Sequence, residues 1–327
     1  MTKSSDIQVF RGGAIAAVLI NHTLSGSVVF SLYGQAFINF GVALFFFLSG
    51  YLTKLHYDNY MEFCKKRLVR VAIPFIFWSI VCCIADLKMY SPLRIFLYTI
   101  TGKACFPYYF ILVYIQFVLL AYPISCLALS KYKHMGWFIS LIYLIIMRYI
   151  PIITGVEYNY IVKSCLWSSV LGWFLFFYFG LLLGNGVIKL TIKRSYIWLF
   201  LFISIALQIG EAFLLYEVGE TKMCGTQQKL TSYITSIIMC ILCYSYAREK
   251  KNFDSKNIIG GCLILLGDCS FGIFLIHILV RNLLTYSSNT LLEMRGLLFI
   301  TTITLSCLVV YLGRRCLPPT INKIIGF

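Results

Sequence analysis

Residues 10–23 read FRGGAIAAVLINHT, an apolar stretch that contains one arginine and one histidine. With its neighbours the stretch extends over about 9–29, which is long enough to cross the ~30 Å hydrocarbon core of a bilayer as a helix. Arg11 and His22 are eleven residues apart, so in an α-helix both side chains lie on one face, about 16 Å apart along the axis. Ionisable groups at membrane depth are costly and usually functional, which makes this pair the first candidate site.

The composition of the whole chain is that of an integral membrane protein. Of its 327 residues, 60% are hydrophobic and 12% are charged, far from the balance of a soluble domain. The stretches between the apolar runs are too short to bury a core of their own. We therefore expect an all-α polytopic bundle, with residues 1–327 forming a single transmembrane domain and no separate soluble domain. Ten runs are expected to span the membrane, at about 9–29, 36–53, 71–88, 108–129, 136–153, 166–186, 196–216, 231–247, 258–281 and 296–313.

The distribution of basic residues predicts the orientation of this bundle. With the N-terminus inside, 18 lysines and arginines fall in cytoplasmic segments and 8 in outer ones, and such a bias is typical of cytoplasmic loops. Both termini are therefore expected in the cytoplasm, with the protein in the plasma membrane. The formal charge of +16 then reflects contact with anionic lipid and not nucleic-acid binding. The segment 54–70 is expected to lie on the inner leaflet as an amphipathic helix, with 91–103 as a possible outer counterpart.

The 13 cysteines lie mostly within the apolar runs, where a free thiol packs as a small hydrophobic group. No Cys or His spacing suggests a metal site. We expect no disulfide, no bound metal and no permanent cofactor.

Polar residues recur in the second run and in the basic segment that follows it. Ser49 and Gly50 interrupt an aromatic stretch, where small residues allow close helix approach. Arg67, Arg70 and Pro74 form an RxxRxxxP pattern at the expected cytoplasmic side. Two neighbouring guanidinium groups suit a polyphosphate, although ordinary positive-inside arginines are the alternative.

The fourth and ninth runs carry further polar side chains. Gln116 is an amide in an apolar helix and needs hydrogen-bond partners. In the ninth run Ser270, Phe274, His277 and Arg281 follow one another at helical spacing and share a stripe. His277 is interpreted either as catalytic or as a structural tie to the first helix.

These motifs resemble those of the membrane acyltransferase-3 family, whose members O-acylate surface carbohydrates. The resemblance covers nearly the whole chain. The matching residues are, in chain order, Arg11 and His22, then Phe46, Phe47, Ser49 and Gly50, then Arg67, Arg70 and Pro74, and finally the run from Ser270 to His277. One departure concerns the entry to the fourth helix, where Pro107, Tyr108 and Tyr109 stand in place of a His-Leu-Trp sequence found in many members.

The resemblance implies an O-acyltransferase, most simply an O-acetyltransferase, that takes its acyl group from cytoplasmic acyl-CoA. His22 would be the base, with Arg11, Arg67 and Arg70 holding the donor. Direct transfer and an acyl-histidine relay both remain open. The acceptor would be a polysaccharide or glycolipid reached from outside.

Candidate residues for the acceptor side lie in the outer parts of the predicted spans. Arg148 and Glu211 are expected in the outer third of their spans, where the two side chains can pair. Aromatic platforms for a sugar are expected there as well. The full set of candidates is Tyr108, Tyr109, Arg148, Glu211, Asp86, Glu157 and Trp167.

Two other classes of protein fit the same composition. A secondary transporter also has about ten spans and buried charges, but usually shows an internal repeat, which this sequence lacks. A non-catalytic envelope assembly subunit would not need the Arg11 and His22 pair. The sequence does not predict the oligomeric state, the acyl group or the acceptor hydroxyl.

Overall fold

The computed structural model describes residues 5–85, 91–156, 158–159, 168–249, 257–287 and 293–327. Within these ranges the secondary structure is helical, without strands. The α-helices are α1 (Ser5–Leu24), α2 (Val28–Leu32), α3 (Phe40–Tyr51), α4 (Tyr60–Ala85), α5 (Pro92–Ile100), α6 (Tyr109–Leu119), α7 (Ala121–Leu129), α8 (Gly136–Leu144), α9 (Ile150–Thr154), α10 (Phe174–Gly184), α11 (Arg194–Glu217), α12 (Thr221–Cys224), α13 (Leu230–Glu249), α14 (Ile258–Ser287), α15 (Arg295–Cys316) and α16 (Pro319–Ile325).

Seven helical stretches in the described part are long and apolar enough to cross a membrane. An eighth candidate is the pair α6 and α7, which is bent by 58°. The helix over Val170–Gly184 is apolar but shorter. The protein is thus an all-α polytopic membrane protein. The seven stretches are Gly34–Tyr51, Tyr60–Ala85, Lys133–Thr154, Arg194–Glu217, Leu230–Glu249, Ile258–Ser287 and Arg295–Cys316.

Two elements that the sequence separates form one helix in the structure. The expected surface helix at 54–70 and the expected span from 71 are joined in α4, which runs from Tyr60 to Ala85 without a break. Pro74 lies inside this helix, where it lacks the amide proton for a backbone hydrogen bond. Arg67 and Arg70 therefore lie on the N-terminal turns of α4.

The first helix ends earlier than its apolar run predicts. A Ser-Gly-Ser sequence follows Leu24, and Gly26 adopts a φ of 114°, which strongly favours glycine. Ser27 then caps α2 by accepting a hydrogen bond from the Phe30 amide at 3.1 Å. As a result, His22 lies in the last turn of α1.

Helices α3 and α10 pack in backbone contact through glycines. A β-carbon on Gly50 would lie 1.9 Å from the Phe177 carbonyl oxygen, and one on Gly180 would lie 2.0 Å from that of Phe47. Only glycine permits so close an approach. Large aromatic side chains fill the space beside this contact; Phe117, for example, stacks on Phe177 with ring centroids 4.3 Å apart. This core supports one side of the candidate site.

Candidate active site

Helix α1 packs directly against the backbone of α14. A β-carbon on Gly12 would lie 2.1 Å from the carbonyl oxygen of Leu263, and one on Gly267 would lie 2.0 Å from that of Gln8. These two contacts, one from each helix, set how far apart the helices lie and which residues face each other. The pair carries the two histidines of the predicted site.

His22 of α1 and His277 of α14 come together at the end of this contact. Their ring centroids are 5.3 Å apart, with a tilt of 42° between the rings. Phe106 meets the His22 ring edge-on at 5.9 Å, and Phe274 lies 5.9 Å from the His277 ring. Two imidazoles thus share one aromatic enclosure within the bundle.

The hydrogen bonds of the two histidines differ. His277 is fully buried, and its Nδ1 donates to the carbonyl oxygen of Phe274 at 2.8 Å. Because a carbonyl only accepts, Nδ1 carries the proton and Nε2 the lone pair, and Nε2 has no hydrogen-bond partner among the described residues. The ring nitrogens of His22 make no hydrogen bond within the described chain, so they are available to a substrate.

Two arginines hold the end of α1 that carries His22. Arg281 of α14 donates to the His22 carbonyl oxygen at 2.9 Å. Arg295 of α15 donates to the carbonyls of Leu24 and Ser25, at 3.2 and 2.9 Å. Cations are favourable at the C-terminus of a helix, where carbonyls lack partners. The sequence placed Arg281 on the His277 stripe, but its bond to α1 is a tertiary contact.

A cavity of about 280 Å³ lies beside His22. It reaches Val18, one turn along α1, and extends to the segment 221–228 that precedes α13. Its lining combines amides, aromatic rings and one lysine, among them Asn21, Gln35, Trp173, Lys222 and Gln227. Such a mixture can bind a hydroxyl-rich molecule through hydrogen bonds and ring stacking.

Arg11 lies three turns away from His22 and does not line this cavity. It is half-buried in α1 and interacts electrostatically with Arg70, Tyr114 and Asp268. Arg70 is exposed on α4. Two guanidinium groups from different helices therefore lie near each other at the end of the site opposite the cavity, an arrangement that attracts an anion.

A comparison with known families assigns the chain to one of them. The sequence model of a family described as an acyltransferase domain matches residues 4–313. The chain belongs to the membrane acyltransferase-3 family. Searches of curated proteins and of solved structures returned no match. The protein is a membrane acyltransferase. His22, His277, Arg11 and Arg70 all lie within the matched residues.

The two basic-motif arginines of this acyltransferase have different surroundings. Arg67 donates to the Thr53 hydroxyl at 3.0 Å and to the Leu52 carbonyl at 3.3 Å. Its guanidinium also lies over the Phe63 ring, 4.8 Å from the centroid. Arg67 therefore ties α4 to the end of α3, whereas Arg70 is the exposed member of the pair.

Two of the predicted supporting residues, Gly50 and Gln116, join neighbouring parts of the bundle, and two are serines. Gly50 provides the α3 to α10 contact, and the buried Ser49 hydroxyl has no hydrogen-bond partner among the described residues. Gln116 donates to the Ser168 carbonyl at 2.7 Å and accepts from the Val170 amide at 2.9 Å, so both ends of its amide are satisfied. Ser270 is buried in α14, two turns before His277.

The neighbouring tyrosines of the acyltransferase serve different surfaces. Tyr109 lines the cavity. Tyr108 is fully buried, and its hydroxyl donates to the Leu275 carbonyl of α14 at 2.7 Å. Only Tyr109 is positioned to meet a ligand in the cavity, while Tyr108 fixes the turn beside it.

Arg148 and Glu211 are held by different partners. Arg148 donates to Oε1 of Gln228 at 2.7 Å. Glu211 accepts from the hydroxyl of Tyr149 and from the Thr231 amide, the latter at 3.0 Å. Arg148 reaches the cavity through Gln228, which lines it, and Glu211 braces the start of α13.

Several lining residues had no signal in the sequence. Asn21, Gln35 and Gln227 belong to no motif, and Gln35 donates to Asn21 Oδ1 at 2.9 Å across 14 positions of chain. Asn21 precedes His22 in the sequence, and this neighbour was the only sequence feature that pointed to Asn21 as part of the site. Asp86, Glu157 and Trp167, also predicted on the acceptor side, lie outside the described residues.

Proposed function

We propose that the protein is an O-acyltransferase, most simply an O-acetyltransferase, of the plasma membrane. It moves an acyl group from cytoplasmic acyl-CoA to a hydroxyl of a surface polysaccharide or lipid-linked glycan. The single observation that carries the proposal is the His22 imidazole, which opens on the cavity with no hydrogen bond to its nitrogens and with His277 beside it.

The transmembrane arrangement proposed for this reaction has ten spans with both termini inside. It adds α1, the bent pair of α6 and α7, and the short helix over Val170–Gly184 to the seven candidate stretches. The basic residues favour this orientation. It turns Arg11 and Arg70 towards the cytoplasm and the cavity towards the outside.

The donor is proposed to bind through its phosphates at Arg11 and Arg70, with Arg67 supporting α4. Guanidinium groups bind phosphate oxygens in paired hydrogen bonds. On α1 the cavity ends at Val18, which is seven positions from Arg11, or about 10 Å along the helix axis. The pantetheine arm is proposed to enter along this stretch of α1. The side chains that now pack against the stretch then move apart when the donor binds.

His22 acts in this proposal as the general base. It takes the proton of the acceptor hydroxyl as the oxygen attacks the thioester carbonyl, and a new C–O bond forms. The C–S bond then breaks, and the CoA thiolate leaves with the proton that His22 returns. In the alternative route His22 first carries the acyl group itself, which rapid acid quenching would trap as an acyl-histidine.

The test is acyl transfer by the purified protein in proteoliposomes, with labelled acetyl-CoA outside or inside and a surface-glycan fraction as acceptor. We expect His22→Ala to lower transfer by at least about 100-fold, the range lost when a general base is removed. His134→Ala is the matched control, because His134 is exposed and far along the chain from the site. Equal transfer by both variants, or transfer by neither the wild type nor the control, contradicts the proposal.

A further inference from the structure

We propose that the cavity beside His22 binds an acidic saccharide unit whose carboxylate pairs with Lys222. This inference rests on the proposed function, since it assigns the chemical class of the acceptor at the same site. It depends on the charges of the cavity walls, on their neutral hydrogen-bonding groups and on the cavity volume.

One lysine lines the cavity, and two arginines bind residues of its lining. Lys222 lines it directly and is exposed. Arg148 donates to the side chain of Gln228, which lines the cavity, and Arg281 donates to the carbonyl of His22. Among the described residues that form the lining, none is an aspartate or a glutamate. The charged side chain of the lining is therefore a cation, which favours an anionic ligand.

The neutral part of the lining suits a sugar ring. Gln35 and Gln227 supply amide groups to the lining, and an amide can donate to or accept from the hydroxyl groups of a sugar. Trp173 and Tyr109 add aromatic surface. The volume of about 280 Å³ is at the lower limit of ordinary ligand sites, about 300–1,000 Å³, and suits a single ring.

Charge then decides which sugars the cavity admits. A carboxylate gains by meeting Lys222, and a hydroxyl in its place loses that attraction. An ammonium group would lie among like charges, which repel it. The expected order of affinity is uronate, then neutral sugar, then amino sugar, a selectivity that comes as much from repulsion as from attraction.

The test measures binding without any acyl donor, by saturation-transfer NMR on the purified full-length protein. The probes are methyl glucuronoside, methyl glucoside and methyl glucosaminide at about pH 6, where the amine is protonated. We expect the wild type to bind the glucuronoside about fivefold more tightly than the glucoside, the upper range for an exposed ion pair. Lys222→Gln should remove this preference, and Lys222→Glu should reverse the order of the glucuronoside and the glucosaminide.

Lys103→Gln is the matched control, because Lys103 is also exposed and is expected on the outer side; it should keep the wild-type order. The preference of the wild type should also weaken at high salt. Absence of binding by all three probes, or an order that Lys222→Glu leaves unchanged, overturns the inference. Failure of the proposed function is a separate result, in which sugars bind in the expected order but no acetyl group is transferred.

Discussion

The contact between Gly12 and α14 gives a direct way to displace His22 without touching it. In Gly12→Ala the new β-carbon would start 2.1 Å from the carbonyl oxygen of Leu263. Ordinary van der Waals contact begins at 3.4 Å, so α1 and α14 must separate locally by more than one ångström. Because the obstacle is backbone, no side-chain rotation relieves the overlap.

Two consequences of this separation have expected magnitudes. Overpacking of this kind costs about 1–3 kcal/mol of stability, which a protein of this size can tolerate. A displacement of about 1 Å at a catalytic group can lower the rate by about 100-fold. Since His22 lies ten residues further along α1, part of the displacement is absorbed by bending, and we expect a loss of about 10- to 100-fold in acyl transfer.

The assay compares Gly12→Ala with Gly13→Ala in the proteoliposome reaction, at equal amounts of folded protein. Gly13 is the next residue on the same helix, and a β-carbon there meets nothing within 4 Å. Both substitutions have the same effect on helix propensity, so their difference isolates the contact with α14. If Gly12→Ala transfers acetyl groups as fast as Gly13→Ala, the geometry of this helix pair does not set the activity and the reasoning is refuted.

Three further predictions test other parts of the structure. Arg70→Gln should raise the KM for acetyl-CoA about tenfold, the effect of one charge-assisted hydrogen bond, with an unchanged melting temperature because Arg70 is exposed; an unchanged KM removes it from the donor site. Gly180→Ala should lower the melting temperature of the protein, because the new β-carbon would lie 2.0 Å from the carbonyl oxygen of Phe47. Gly210→Ala is the control and should leave the melting temperature unchanged, because a β-carbon there meets nothing within 4 Å. Equal melting temperatures of the two variants contradict the packing of α3 against α10. Burial lowers the pKa of Lys229 to about 8, so between about pH 8 and the unfolded pKa near 10.4 the folded protein has already lost this proton while the unfolded chain still binds it. The free energy of unfolding of the wild type should therefore rise with pH across that window relative to Lys229→Met. Parallel curves of unfolding free energy against pH for the two proteins refute this assignment.

The sequence alone predicted the features that depend on local geometry. Helical periodicity placed Arg11 and His22 on one face and His277 on a stripe with Arg281, because the spacing of residues along a helix is fixed by its backbone. Apolar run length predicted an all-helical membrane protein, and the order of the motifs indicated its family, which the match over residues 4–313 confirmed. Helix boundaries differed from the prediction: the expected surface helix at 54–70 and the span from 71 are one continuous helix, α4.

Only the tertiary structure decided which faces meet. Gly12 and Gly267 set the position of α1 on α14, but the sequence does not indicate which helix packs against a given glycine. The meeting of His22 with His277, and the amide of Gln35 with Asn21, depend on these distant contacts. Helix packing is determined by shape complementarity between residues far apart in the chain, and periodicity within one helix carries no information about its partner.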